Sequence, residues 1–221
     1  MLAVRVGGRL TGLSLVAELG GWVLSQPPLH VSVPVNAARL RSATNRFVHP
    51  GATSIRGVKL HWEPCDLAGR GTATAVDLLD ALMRVVLDED LETAVAALDW
   101  AMYTNRIDLI DFERMLQQLP ESRRWIRGWV DARCESLPES LARTRLRLAG
   151  HRVDSQVRLR GFEAIDLVVD DVVGLEVDGA EHHRDRFEAD RNKDLAITIA
   201  GLHALRPHAR AVFSSWDFVE Q

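Results

Sequence analysis

The sequence predicts an α/β protein, with a mixed sheet flanked by helices in its C-terminal part and a small, helix-rich α+β domain before it. Three observations carry this. Alternating apolar residues mark strands between residues 156 and 178. An apolar stripe with helical spacing runs through 73–134. The chain of 221 residues is 47% hydrophobic and 26% charged, enough to bury one core or two modest ones. The change of pattern divides the chain into 1–134 and 135–221.

Residues 10–19 read as a short helix, followed by Gly20-Gly21 and the turn-forming Pro27-Pro28. Residues 29–34 alternate like an edge strand closed by Pro34, and a second strand is expected near 58–62. Val76, Leu79, Met83 and Val86-Leu87 form one helical stripe, and Leu91, Val95, Leu98 and Met102 another. Asp108 and Glu121 mark two further helix starts, with Pro120 as the stop between them. Ser136-Leu-Pro-Glu139 has proline at a helix start and the spacing of a capping box, and that helix should run to Ala149 and close at Gly150. Strands follow at 156–160, 164–169 and 172–178. A polar helix over 184–200 ends at Gly201, and short strands are expected at 203–206 and 211–213.

No apolar run reaches the ~18 to 20 residues of a membrane span, and Arg5, Arg9 and Glu18 interrupt the N-terminal apolar stretches. The expectation is a soluble cytoplasmic protein with no membrane partner. Cys65 and Cys134 are too few and too far apart for a zinc ligand set. The formal net charge of −4 conceals an asymmetry: residues 1–62 hold seven basic residues against Glu18 alone, whereas 63–138 hold eight against fifteen acids. Arg143, Arg145, Arg147, Arg152, Arg158 and Arg160 crowd the stretch before Asp166, and acids gather after it. A basic apron beside an acidic pocket suits a metal-dependent enzyme acting on nucleic acid, and a solvated helix face accounts for the same arginines equally well.

The most informative stretch is Ile165-Asp-Leu-Val-Val-Asp-Asp-Val-Val-Gly-Leu-Glu-Val-Asp-Gly179. Its odd positions 165, 167, 169, 173, 175 and 177 are all Ile, Leu or Val, so one face should be core and the other not. Keeping both apolar sets on one face requires Val169 opposite Val173 and a three-residue turn, Asp170 to Val172. Asp166 then lies across from Glu176, with Asp178 next along that face. Facing carboxylates repel unless a cation lies between them, and hard oxygen ligands suit Mg²⁺ or Mn²⁺. The competing reading is a solvent-facing edge whose acids serve solubility.

At these residues the chain resembles the PD-(D/E)XK nuclease superfamily, and more closely its domains similar to very-short-patch-repair endonucleases. The resemblance covers about 136–218. It rests on Glu139-Ser140, Gln156, Asp166, Glu176-Val-Asp-Gly179, His182 and Asp190-Arg-Asn-Lys-Asp194. The region before it faintly resembles the part of abortive-infection antitoxin-like proteins that follows their winged helix, although that winged helix is missing here. The resemblance implies a restriction-endonuclease-like fold and a Mg²⁺-dependent hydrolase of phosphodiester bonds, most naturally DNA. Asp166 and Glu176 would be metal ligands, with Glu139 either reaching the ion through water or serving only as the capping-box partner of Ser136. His182 would be a general base or phosphate contact, and His183 a bystander. Gln156, Arg143, Arg147 and Arg191 would touch nucleic acid.

One departure matters. The lysine that the superfamily carries two residues after its acidic ligand is Asp178 here. Either Asp178 binds metal or the cation comes from elsewhere. Lys193 is the replacement to consider, against an ion-pair cluster of Asp190, Lys193 and Asp194 on one helix face. The expected function is endonuclease action in DNA repair or phage defence. The alternative is a catalytically inactive, nucleic-acid-binding or antitoxin-like regulatory protein, acting as a homodimer or with a protein partner.

Overall fold

In the computed structural model, the described residues are 2–45, 47–48, 57–63, 70–159, 163–178 and 187–220, without the side chains of 187–190. The chain divides into two compact units, Met1–Gly128 and Trp129–Gln221. Each contains a mixed sheet flanked by helices.

In the first unit, α1 (Leu2–Val6) leads into β1 (Arg9–Leu10) and α2 (Gly12–Glu18). The strands β2 (Leu29–Pro34) and β3 (Val58–Glu63) complete a sheet of order β1-β2-β3. Here β2 is the middle strand rather than the edge the sequence suggested, antiparallel to β1 and parallel to β3. Pro34 closes it without harm because it is the last residue of the ladder. Both faces of β2 are covered, with Val31 and Val33 fully buried and His30 at 1% exposure. Three helices follow: α3 (Leu78–Asp88), α4 (Leu91–Tyr103) and α5 (Leu109–Gln118). Each is capped by an aspartate whose side chain accepts a backbone N–H: Asp77 from Leu79 at 3.0 Å, Asp90 from Thr93 at 2.9 Å and Asp108 from Asp111 at 2.8 Å. The helix expected at Glu121 is a 3-10 helix, Glu121–Gly128.

In the second unit, α6 (Leu137–Leu148) precedes β4 (Val153–Arg158), β5 (Ala164–Val169) and β6 (Val173–Leu175). Then come α7 (Phe187–Ile199), β7 (His203–Leu205), α8 (Ala209–Ser214) and α9 (Trp216–Glu220). The sheet order is β4-β5-β6-β7, antiparallel except for the parallel pair β6/β7. α6 packs on β4 and β5. The hairpin register is the expected one, with Val169 opposite Val173 and Leu167 opposite Leu175. Its turn places Asp170 and Asp171 at φ of 52° and 57°, closed by Val172 N donating to Val169 O at 2.9 Å. That left-handed pair matches the right-handed twist of the arms.

Three expectations for this unit need correction. Residues 211–213 lie in α8, not a strand: the extended run continues through Pro207 to His208, which bridges Asp178, and the helix begins at Ala209, while an apolar triplet is too short to reveal its period. The first core strand starts at Val153, where the polar run Asp154-Ser155-Gln156 conceals it in the sequence; Gln156 within it has φ of 52°, with the same register on either side. The even face of the hairpin is not bare. Ile197 of α7 clusters with Ile165 and Val168 and lies so close to Gly174 that a Cβ there would be 2.6 Å from its Cγ2. Glycine at 174 is what lets the helix approach. Among the described residues, no helix is long and apolar enough to cross a membrane.

Candidate functional site

Glu139 of α6, Asp166 of β5, Glu176 just beyond β6 and Lys193 of α7 form one polar cluster in the second unit. The hairpin creates its centre. Continuing the ladder from Leu167–Leu175 brings Asp166 across from Glu176. The two are cross-linked through the backbone. Asp166 N donates to Glu176 Oε1 at 3.2 Å, and Val177 N donates to Asp166 Oδ2 at 2.8 Å. Glu176 N in turn donates to Leu205 O at 2.9 Å, extending the parallel ladder toward β7. The solvent-facing reading of these acids fails, since Glu176 is only 4% exposed.

Lys193 places its Nζ 2.5 Å from Glu176 Oε2. The helix-face cluster with Asp194 does not form, because Asp194 turns to Arg206. Arg206 Nη2 donates to Asp194 Oδ1 at 2.7 Å, and Nη1 donates to Asp178 Oδ1 at 3.0 Å. Burial works against the charge on Arg206, but Asp194 and Asp178 outweigh it and push its pKa above the ordinary arginine value. Asp178, expected to act in catalysis, is thus held in an ion pair beside the cluster.

Glu139 serves two purposes at once. Its Oε1 accepts from Ser136 Oγ at 2.6 Å and its Oε2 from Glu135 N at 3.0 Å, while Glu139 N donates back to Ser136 Oγ at 3.4 Å. This is a capping box displaced by one residue. The same Oε2 accepts from Gln156 Nε2 at 3.2 Å, so the amide of Gln156 is spent on Glu139.

The three carboxyls resist ionisation together. Burial raises the pKa of Glu176 to about 7, and the charge on Asp166 adds to the rise while Lys193 opposes it. Burial also raises Asp166, against the pull of the Val177 N–H and Lys193. Glu139 is raised by burial and by Asp166, against its hydrogen bonds. A cluster with three buried acids and one ammonium has room electrostatically for a further cation.

Other expected residues lie elsewhere. Arg143 is 2% exposed, so it is closed to a phosphate backbone, a correction forced by the buried face of α6. Arg147 has its guanidinium carbon 4.7 Å from the centre of the Trp129 ring. Arg191 is exposed. His182, His183 and Gly179 lie outside the described residues, as does the side chain of Asp190. Arg206 was missed by sequence reasoning. Its signal was weak: only the parallel pairing of β7 with β6 puts it beside the acids.

The carboxylates are not the tightest ligand set. Among the described residues, the one group of three His, Cys, Asp or Glu whose ligand atoms all lie within 4.8 Å of one another is His30, His61 and Asp88, in the first unit. Comparisons with models of protein families, with curated proteins and with solved structures find no significant match to this chain.

Proposed function

We propose that the C-terminal unit is a restriction-endonuclease-like, divalent-metal-dependent nuclease that cleaves or nicks DNA. The observation that carries this reading is the register-paired Asp166 and Glu176 with the Lys193 ammonium on Glu176. The donor set fits a hard dication: carboxylate oxygens in one buried cluster, three mutually repelling acids against the single ammonium of Lys193. Asp166, Glu176 and, through water, Glu139 would hold Mg²⁺ or Mn²⁺. When bound, the ion would activate water and neutralise charge on the attacked phosphate.

The chain's own residues do the rest. The Val177 and Asp166 N–H groups fix the two carboxylates, so little side-chain entropy is lost when substrate arrives. Lys193 supplies from α7 the positive charge that the superfamily places two residues after the acidic ligand. There it stabilises charge developing on the phosphate oxygens. Arg206 removes Asp178 from competition by pairing it. His182 takes the role of proton acceptor from water, and the exposed Arg191 that of a phosphate contact.

The test is nicking of supercoiled DNA in Mg²⁺ or Mn²⁺ by the full chain and by Asp166→Asn, Glu176→Gln, Lys193→Met and His182→Ala variants. The carboxylate variants should lose on the order of 10³-fold or more, and Lys193→Met about 10²-fold or more. Absence of cleavage in any divalent ion, with salt-sensitive DNA binding retained, would instead support the inactive binding module. The Lys193 contact favours that second reading in one respect: it already neutralises Glu176.

A further inference from the structure

We propose that His30, His61 and Asp88 form a second metal site, in the N-terminal unit, for a divalent transition ion of the Zn²⁺ type. The topology makes the site. β2 and β3 are parallel neighbours, with His30 beside Lys59 and Ser32 beside His61. The two imidazoles are therefore offset by two residues, and His61 Nε2 lies 3.2 Å from His30 Nδ1. Two ligands on a tetrahedral zinc with bonds of ~2.0–2.1 Å would be separated by roughly 3.3 Å. The observed spacing matches that edge. Asp88, the last residue of α3, brings Oδ2 to 3.2 Å from His61 Nδ1, the ring nitrogen opposite the one that faces His30, so an ion shared by all three takes one nitrogen of His61 and the other of the two contacts must rearrange. One ligand atom from each of the three residues lies within 4.8 Å of the others, a span that side-chain rotation has to tighten toward that edge length to close on a shared ion.

The surroundings are built around these rings. Gly12 has φ of 52°, and a Cβ there would stand 2.7 Å from His30 Nδ1 and fill the space beside that nitrogen. Both rings are buried, and a neutral imidazole presents a lone pair on one ring nitrogen. Asp88 Oδ2 is buried and meets only the ion-pair contacts of His61 and Lys59 among the described residues, with no hydrogen bond of good geometry, and the buried hydroxyl of Thr11 has no hydrogen bond among them either. Two imidazole nitrogens and one carboxylate form a borderline donor set, which selects Zn²⁺, Co²⁺ or Ni²⁺ over the all-oxygen preference of Mg²⁺. Three protein ligands leave a fourth position for water.

Entry is from the side of Lys59, whose side chain is 42% exposed. Its Nζ lies 3.6 Å from Asp88 Oδ2 and 3.4 Å from Glu89 Oε1, occupying as a cation the charge that a metal ion would take. An arriving ion therefore competes with Lys59. Arg84 also faces Asp88, at 3.8 Å from Oδ1, and would stay paired with that oxygen while the ion takes Oδ2.

The experiment titrates Zn²⁺ and Co²⁺ into the chelator-stripped full chain by calorimetry, with Co²⁺ spectra reporting coordination. The background is the Asp166→Asn/Glu176→Gln double variant, so that the carboxylate cluster cannot take the ion. One equivalent should bind, with a tetrahedral Co²⁺ spectrum. Asp88→Asn should weaken binding by about tenfold or more and His61→Gln further, whereas Lys59→Met should tighten it. Circular dichroism establishes that each variant is folded. If His61→Gln unfolds, Asp88→Asn and Lys59→Met decide the matter at the surface-facing side of the site. No binding, or binding that neither Asp88→Asn nor Lys59→Met alters, overturns the proposal. The outcome is independent of whether the C-terminal unit cleaves DNA.

Discussion

The carboxylate cluster of the second unit and the imidazole cluster of the first are both withdrawn from water, and they answer burial in opposite directions. Loss of hydration disfavours whichever form is charged. It lifts Glu176 to about 7 and drops His61 to about 4. For an imidazole this is preparation, because the neutral ring is the ligand. For a carboxylate it is an obstacle, because the ion is the ligand. The two clusters are accordingly equipped differently. Glu176 and Asp166 are supported by backbone N–H donors and Lys193, all of which favour the anion. His30 and His61 meet each other and the acids Glu89 and Asp88, with no backbone donor among the described residues called on to hold a charge.

The sharpest way to break this contrast is stability against pH in the metal-free chain. The folded pKa of Glu176 lies above its unfolded value near 4.5, so its contribution is complete below pH 4.5 and lost as pH rises through about 7. The folded pKa of His61 lies below 6.5, so its contribution is complete above pH 6.5 and lost as pH falls through about 4. The C-terminal unit should weaken toward alkali and the N-terminal unit toward acid, each by up to a few kcal/mol in order of magnitude. Hydrogen exchange resolved by unit, in Glu176→Gln and His61→Asn variants, should show each slope flattened separately. Slopes of the same sign in both units would remove the comparison.

A smaller effect sharpens it. Gly174→Ala leaves every ligand in place but drives a Cβ into Ile197, and α7 must yield, because Gly174 is on a paired strand. A loss of about 1–3 kcal/mol is expected in urea unfolding of the C-terminal unit. Because α7 carries Lys193, DNA nicking should fall as well, while metal binding at the N-terminal cluster stays unchanged. The smallest change is expected from Asp171→Gly. It relieves a left-handed residue at the hairpin turn, giving up only an exposed ion pair with Arg152. A gain of a few tenths of a kcal/mol is expected by thermal unfolding, with neither cluster affected; a loss would mean that the Arg152 contact outweighs backbone strain.

The hairpin was legible in the sequence because its information is local. Alternation with period two and one turn length suffice to put Asp166 opposite Glu176, and the structure has that register. The capping box of Ser136 and Glu139 and the aspartate cap at Asp108 were readable for the same reason, since each side chain answers backbone groups a few residues away. The lysine was harder. Spacing along α7 favoured Lys193 with its own helix neighbours, and nothing in the chain announced that Arg206 would take Asp194 instead. Likewise the position of β2 in the middle of its sheet was hidden, because β3 joins it from a distant stretch. So were the two histidines, separated in sequence by thirty-one positions and joined only through parallel strands.

The sequence by itself determined the elements of the hairpin, its register, the helix starts at Asp108 and Ser136 and the presence of an acidic pair on one face, all through interactions spanning a few residues. Tertiary structure decided which cation meets that pair, which arginines are exposed, and that two imidazoles and an aspartate share a cluster. Those outcomes depend on how parallel strands and packed helices bring distant residues together, and the burial created by that packing decides the charge each group carries.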